Sequence, residues 1–327
     1  MKKPISLYGV ILLAFAFFLY FCGILFGLCR ILLFIDNESL RWWNRAVVLY
    51  SGFPVYLGFL LILIDIYVFR PKMKSQESLR YDPIENPLCT VVLTAYNDEL
   101  SIYDSVRDFQ QHPNVKRVIV VNNNSTDQTE HIAKQAEAIV VNEPIQGYGA
   151  CVYRALCEGI NYTDTPLTVL CEGDRTFRAY DINKLLAYIF HCDIVTGTRT
   201  VEGLQEPNTQ LTAFIHYGNT VVGKLLEMKH IGKCTLSDVG TTYKVCRNDA
   251  LQRILPKLKP RYINLEFNPY FMDKALELGL SIVECPITFH PRVGKSKGGN
   301  INSFIAFKLG LRMIRGIMFG WQEEKPH

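Results

Sequence analysis

The 327-residue chain predicts an α/β domain with a mainly parallel sheet, preceded by two transmembrane helices and followed by an amphipathic helix. Three observations carry that prediction. Charge is unevenly spread: of the 35 Lys and Arg and 31 Asp and Glu, eight lie in residues 1–69 and 58 in the other 258 residues. Beyond residue 88, short apolar runs alternate with segments of helical character. Near the C-terminus, Lys308, Arg312 and Arg315 recur at i, i+4 and i+7, which puts them on one helix face.

The first element is the charge-free run from Pro4 to Cys29. At 1.5 Å per residue it reaches about 39 Å, enough to cross a ~30 Å hydrocarbon core with tilt. A signal peptide competes with this reading, because Lys2 and Lys3 precede the run. The run is too long for an ordinary signal core, and no small-residue cleavage site follows before Arg30. The second charge-free run, Ala46 to Ile64, can cross once more. Between the two lies a short loop, Ile35 to Arg45, whose Trp42 and Trp43 suit a membrane–water interface. The outer flanks carry Lys2, Lys3, Arg70, Lys72, Lys74 and Arg80, against Arg41 and Arg45 in the loop. That excess puts both termini in the cytoplasm and predicts a hairpin over residues 1–70. Asp65, at the end of the second span, is read as interfacial, with a functional intramembrane carboxylate the alternative. Residues 71–87 are polar and read as a linker, and residues 88–300 as the globular domain.

Composition narrows the function. Hydrophobic residues make up 49% and charged residues 20% of the chain, with a mean hydropathy of +0.09, which excludes a disordered tail. A net charge of +4 lacks the basic stripe of a dedicated nucleic-acid binder. The ten cysteines form no CxxC pair or zinc-type cluster and read as free thiols in a reducing compartment. The domain therefore belongs on the cytoplasmic face, of a bacterial plasma membrane or of an ER membrane.

Within the domain, strands are expected at Cys89–Leu93, Arg117–Val121, Ala138–Val141, Leu167–Cys171 and Asp193–Val195. Helices are expected at Ser101–Gln110, Asp127–Gln135, Gly149–Asn161 and Asp181–Phe190. Repeated β–α–β units imply a parallel sheet covered on both faces, with ligands gathering outside the carboxyl ends of its strands. Polar segments sit there: Thr94–Glu99 after the first strand, Asn122–Thr129 after the second, Glu172-Gly-Asp174 after the fourth and Gly197-Thr-Arg199 after the fifth. Each alone is compatible with ordinary turn chemistry. Four converging on one sheet edge point to a site.

Several of these segments have a recognisable form. Val91-Val-Leu-Thr-Ala-Tyr-Asn-Asp98, Val120-Val-Asn-Asn-Asn-Ser-Thr-Asp127, Gly147-Tyr-Gly-Ala150 and Asp193-Ile-Val-Thr-Gly-Thr-Arg199 are the first four. The fifth is Glu284-Cys-Pro-Ile-Thr-Phe289, followed by Arg292, Gly294, Lys295, Ser296 and Lys297. With these motifs, residues 88 to 320 resemble the family-2 glycosyltransferases of GT-A fold, and among them the polyprenyl-phosphate sugar transferases of dolichyl-phosphate mannosyltransferase type. Gly294-Lys-Ser296 is not a P-loop, since that motif needs glycine where Phe289 stands. The chain departs from the family at Asn122, where an acid holds the nucleotide base, at Glu172-Gly-Asp174 in place of D-x-D, and at Thr176 in place of glutamine.

The resemblance implies roles. Glu172 and Asp174 are the expected ligands of Mg²⁺ or Mn²⁺ across the diphosphate of a nucleotide-sugar donor. Thr94, Tyr96, Asp98, Asn122, Asn124, Gly147 and Gly173 are expected around the nucleotide. Asp174, Arg199 and Asp238 are expected at the reaction centre, although Asp238 reads equally as a turn carboxylate. Arg199, Arg292, Lys295, Ser296 and Lys297 are expected on phosphate oxygens. Glu266 is expected on the acceptor side at the sugar hydroxyls, or as a carboxylate stabilising a helix N-terminus.

The implied activity is transfer of a hexose, with inversion, from a UDP- or GDP-sugar to a polyprenyl phosphate. That acceptor is ionised at neutral pH and needs no strong protein base. The alternatives are a transferase acting on another lipid or saccharide, and a membrane-tethered, catalytically silent nucleotide-sugar binder. A transporter is disfavoured because two spans build no pathway unless copies of the chain associate, and self-association stays open. The last element, residues 301–321 with a helix from Ser303 to Trp321, has Phe304, Phe307, Leu311, Ile314 and Met318 on its apolar side. It reads either as a helix packed on the domain or as one lying at the bilayer surface.

Overall fold

The computed structural model describes residues 5–33, 37–65, 79–231, 233–259, 263–294 and 303–322. They form two compact units, divided between Gln76 and Glu77. The first holds α1 (Ile5–Leu32), α2 (Glu38–Tyr50) and α3 (Gly52–Ile64). Ile5–Leu32 and Glu38–Ile64 are both long and apolar enough to cross a membrane. Glycine lets α1 and α3 touch backbone to backbone: a Cβ on Gly9 would stand 2.6 Å from the Gly58 carbonyl, and one on Gly58 2.7 Å from that of Gly9. The Asp65 carboxylate accepts the Ser6 backbone N–H at 2.9 Å and so satisfies one of the free donors at the start of α1.

The loop expected at 35–45 is shorter than expected. Asn37 accepts the Ser39 N–H at 2.9 Å and caps α2, so helix begins at Glu38 and includes both tryptophans. The break between α2 and α3 falls at Ser51, three residues before Pro54, which brings no backbone donor to the first turn of α3.

The second unit is built on a seven-stranded sheet. Its strands are β1 (Cys89–Ala95), β2 (Val115–Asn122), β3 (Ile139–Asn142), β4 (Leu167–Glu172), β5 (Ile194–Thr198), β6 (Lys244–Arg247) and β7 (Ile282–Pro286). Their order across the sheet is β3-β2-β1-β4-β6-β5-β7. All neighbours run parallel except β6, which is antiparallel to both β4 and β5. The order reverses between β1 and β4, and a crevice opens at their carboxyl ends. Register puts Thr94 of β1 directly beside Glu172 of β4 there.

Residues alternate across the sheet as β geometry requires. Val91, Leu93, Val118, Val120, Val169 and Cys171 face α4 (Ile102–Gln110), α5 (Thr129–Gln135) and α7 (Ile182–Ile189). Val92, Ile119, Val121 and Leu170 face α6 (Tyr148–Gly159), α8 (Ala213–Lys229), α9 (Asn248–Ile254) and α10 (Phe267–Glu277). Helices α8, α9 and α10 have no counterpart in the sequence reading, apart from the helix start expected at Glu266.

Two boundaries differ from expectation. Residues 79–87, read as linker, are packed on the domain: the Asp82 N–H donates to the Phe190 carbonyl at 2.8 Å, and Arg80 pairs with Asp193 at 2.8 Å. The rest of that expected linker lies outside the described residues. At the other end, α11 (Ser303–Phe319) stops two residues short of Trp321, because Gly320 takes φ +111° and turns the chain. One side of this helix packs on the domain. Met313, Ile317 and Met318 are buried in the domain, whereas Phe304, Phe307 and Leu311 stay exposed.

A buried carboxylate fastens this end of the domain. Asp273 on α10 accepts the Lys229 ammonium, the His230 Nε2 and the Trp321 Nε1, each at 2.6 Å, and so ties the ends of α8 and α11 together. Burial pushes its pKa up, but the bond to His230 and the Lys229 charge outweigh that and hold it below the ordinary carboxylate value. Its contribution is therefore present above the unfolded pKa of about 4 and is lost as acid takes the pH through the lower folded value. Asp273→Asn is expected to cost about 3 kcal/mol, because it takes the nearer carboxylate from the buried Lys229, which keeps only Glu277 at 3.2 Å, and removes the charge that His230 and Trp321 donate to. Urea unfolding of the full chain in detergent at pH 7 measures that loss, and the variant's stability should fall less steeply below pH 4.

Candidate active site

All the strands that run parallel send their carboxyl ends to one edge of the sheet, and a cleft of about 420 Å³ opens there. The loops around it are tied to one another. The Asp98 carboxylate accepts the Tyr96 N–H at 2.9 Å, and the Asn97 N–H donates to Ser125 Oγ at 2.9 Å, which joins the loop after β1 to the loop after β2. Thr94, Tyr96 and Asp98 all line the cleft.

Asn122 does not line it. Its amide donates to Asn142 on β3 at 2.9 Å, and its oxygen accepts the Ser125 N–H at 3.3 Å. The next residue, Asn123, one step beyond the end of β2, lines the cleft instead. Asn123 donates to the Ile145 carbonyl at 2.7 Å and accepts the Gly147 N–H at 2.9 Å, so it shapes the turn that presents Gly147 and Tyr148. Asn124, in the left-handed region at φ +63°, is exposed and outside the lining. Gly149 lies so close to the Ile263 carbonyl that a side chain there would displace the backbone before α10.

At the end of β4, Gly173 passes beneath the cleft rather than lining it. Its carbonyl accepts the hydroxyls of Ser101 and Ser105, both at 2.9 Å, and a Cβ would stand 2.6 Å from Ile102. The carboxylates on either side of it, Glu172 and Asp174, both line the cleft. Asp174 is oriented by Thr176, whose N–H and hydroxyl donate to Oδ1 at 3.1 and 2.6 Å. The other oxygen, Oδ2, is buried without a hydrogen-bond donor, and Arg292 Nη1 stands 3.3 Å from it. Arg292 also donates to Asp98 at 3.1 Å, and this one guanidinium faces three carboxylates. Burial, with the neighbouring Asp174 charge added, pushes the Glu172 pKa up to about 7.

Two hard-oxygen donors side by side, one with an orphaned oxygen and the other reluctant to ionise, fit a divalent cation. Among the described residues no third His, Cys, Asp or Glu joins them, so such a cation keeps open positions for oxygens of a bound ligand.

Arg199 lines the cleft and is held from behind by Asp238. Its Nε and Nη2 donate to the two Asp238 oxygens at 2.7 and 2.8 Å. Asp238 also accepts the Arg199 and Gly240 backbone N–H groups and the Asn219 amide. Burial pushes the Asp238 pKa up, yet Arg199 outweighs it and the carboxyl stays below its ordinary value. With five donors on two oxygens, and outside the cleft lining, Asp238 orients Arg199 and has no lone pair aimed at a reacting atom. Glu284 fixes that loop in turn, accepting the Ser237 and Asp238 N–H groups at 2.8 Å.

Glu266 stands at the N-cap of α10 and outside the lining, with Arg312 of α11 at 3.6 Å, whereas its neighbours Asn264, Leu265 and Asn268 line the cleft. Lys295, Ser296 and Lys297 lie outside the described residues. Asn123, Tyr148, Asn219, Asn264 and Asn268 are among the lining residues that the sequence reading passed over.

The model for glycosyl transferase family 2 matches residues 90–255, just over half of the chain. The chain belongs to that family. An uncharacterised glycosyltransferase of Mycobacterium tuberculosis is 31% identical over 211 residues, which cover 64% of this chain and 88% of the relative. A dolichyl-phosphate hexose transferase of Haloferax volcanii is 25% identical over 208 residues, 63% of this chain and 85% of the relative. Among solved structures, glucosyl-3-phosphoglycerate synthase from Mycobacterium tuberculosis, in complex with Mn²⁺, UDP and phosphoglyceric acid, is similar in fold. Its TM-score is 0.52 at 16% identity, over 74% of this chain and 87% of that one. The GT-A-like arrangement expected for this glycosyltransferase, an α/β domain with a mostly parallel sheet, is the one observed.

A cation needs both carboxylates ionised. Glu172 carries its proton below about pH 7, so affinity for Mn²⁺ should rise as the pH rises through 7. Titration of Mn²⁺ at pH 6 and pH 8 measures this, and equal affinities would contradict the assignment.

Proposed function

We propose that the chain is a membrane-anchored, Mg²⁺- or Mn²⁺-dependent enzyme that moves a hexose, with inversion, from a nucleotide sugar to a polyprenyl phosphate. One observation carries the choice of a lipid acceptor. The cleft is walled on one side by Ile215 and Asn219 of α8 and by Leu309 and Met313 of α11. The outer sides of the same helices leave Phe214, Tyr217 and Val221, and Phe304, Phe307 and Leu311, exposed, with Lys308 and Arg312 among them. An apolar surface of this kind, edged by cations and continuous with the rim of a polar cleft, suits an amphiphile with an anionic head. The two apolar spans suit a chain that meets its acceptor in a bilayer. The relative named as a dolichyl-phosphate hexose transferase supports the same reading.

The parts then divide as follows. Glu172 and Asp174 would hold the cation, which would supply positive charge to the diphosphate of the donor. Asp98, Asn123, Gly147 and Tyr148 accommodate the nucleoside side of the donor. Arg199, locked by Asp238, and Arg292 supply positive charge for phosphate oxygens, joined by Lys295, Ser296 and Lys297. The acceptor phosphate arrives ionised, so the commitment of Asp238 to Arg199 removes no base that the reaction needs. The reading places the catalytic domain on the cytoplasmic face.

Membranes containing the chain, given radiolabelled UDP- or GDP-hexoses with Mg²⁺ and polyprenyl phosphate, test this directly after lipid extraction. Label is expected in the lipid fraction with at least one donor, and Asp174→Asn should reduce it at least 100-fold, on the order of what a lost electrostatic catalyst costs. Binding of a donor with no labelled lipid would make the chain a silent binder. Label appearing only in a water-soluble product would assign another acceptor.

A further inference from the structure

Beneath the cleft lies a lysine that no part of the proposed chemistry uses. Lys244 of β6 is 1% exposed and pairs in register with Leu170 of β4 and Thr196 of β5, inside the sheet. It makes no ion pair among the described residues; its ammonium donates to the Thr241 carbonyl and, at 3.1 Å, to Asn268 Oδ1. Burial pulls its pKa down to about 8, so a charge is kept there at a cost that methionine would avoid.

The contacts beyond Lys244 run in one direction. An ammonium only donates, so the oxygen of Asn268 must face it and the amide NH₂ must face away. That NH₂ donates to the Tyr148 hydroxyl at 2.9 Å. At the other end an ionised Glu172 only accepts, so Thr242 gives its one proton to Glu172 Oε1 at 2.6 Å. The 2.5 Å contact between Thr242 Oγ1 and the Tyr148 hydroxyl then carries the Tyr148 proton. Five residues from β6, α10, α6, the loop before β6 and β4 thus form one line of donors, which starts at a buried cation and ends on a carboxylate of the acidic pair. With Glu172 ionised the direction is uniform along the line, and each bond polarises the next.

We infer that Lys244 is a positioning residue: through Asn268, Tyr148 and Thr242 it locks Glu172 with Oε1 accepting and its second oxygen free for a divalent cation. The inference rests on the cation reading of Glu172 and Asp174 and adds a residue that touches neither cation nor substrate. Partners of this kind, one step behind a metal ligand, commonly set affinity by 10- to 100-fold. A chain in series also makes a specific demand: cutting it at two places should do no more harm than cutting it at one.

The test is Mn²⁺ binding to the full chain in detergent, followed by the electron paramagnetic resonance signal of the free ion, without nucleotide or turnover. The variants are Lys244→Met, Tyr148→Phe and the double variant. Each single variant is expected to weaken Mn²⁺ binding roughly 10-fold, and the double variant to match them rather than reach about 100-fold. Lys244→Met should also melt no lower than the wild type, because it removes an unpaired buried charge; a role in stability alone would lower the melting temperature and leave Mn²⁺ binding alone. Wild-type affinity in Tyr148→Phe, or losses that multiply in the double variant, would overturn the inference while the cation site stands. Failure of the wild-type chain to bind Mn²⁺ would overturn both.

Discussion

Two carboxylates two residues apart, at the end of a buried strand and nearly out of water, are the constraint on which the rest of this site depends. Glu172 and Asp174 repel each other in a medium that screens poorly, and Arg292, which faces both, meets that repulsion from outside. A fold would not hold such a pair without a use for it, since an apolar replacement would be more stable. The surrounding structure is arranged to keep the pair in place: Thr176 orients one member, Thr242 the other, and the hydroxyls of Ser101 and Ser105 grip the Gly173 carbonyl between them. An arrangement that resists collapse around such a pair is what a preorganised seat for a cation, as proposed above, requires.

The same logic runs outward from the pair. Arg199 is held by a fully occupied Asp238, and the Asp238 loop by Glu284, so the positive charge over the cleft is fixed before any ligand arrives. Asn123 does the equivalent for the turn that carries Gly147 and Tyr148. Helix α11 belongs to both worlds: its inner side chains complete the core, its outer ones stay exposed, and Asp273 fastens its end through Trp321. The helices that wall the cleft also carry the apolar surface, which is why the site and the lipid reading are one argument.

Much of this was legible in the amino-acid order. The first five strands announce themselves as apolar runs, and the loops after β1, β2, β4 and β5 are polar where a parallel sheet gathers ligands. The two long apolar segments are legible as runs without charge. What escaped depends on partners far away in the chain. A one-residue step decides whether Asn122 or Asn123 faces the cleft, and motif matching cannot see which face of a strand is which. The role of Asp238 turns on donors 19 and 39 residues distant, Asn219 and Arg199, which use up its oxygens. The line from Lys244 to Glu172 joins five elements and has no local signature. On helix α8 the exposed side, with Phe214, Tyr217 and Val221, is itself apolar, so the usual contrast between faces is blunted.

The central claim is that the acidic pair seats a divalent cation which carries the diphosphate of a donor. A crystal structure of the chain grown with Mn²⁺ and UDP or GDP, with anomalous data collected above the manganese edge, addresses it most directly. The account predicts a single strong anomalous peak about 2.2 Å from carboxylate oxygens of Asp174 and Glu172, in the range usual for hard-oxygen sites, with diphosphate oxygens filling its open positions and Arg292 moved onto the phosphates. A nucleotide bound in the cleft with Arg292 still against Asp174 and no peak at the acidic pair would contradict it.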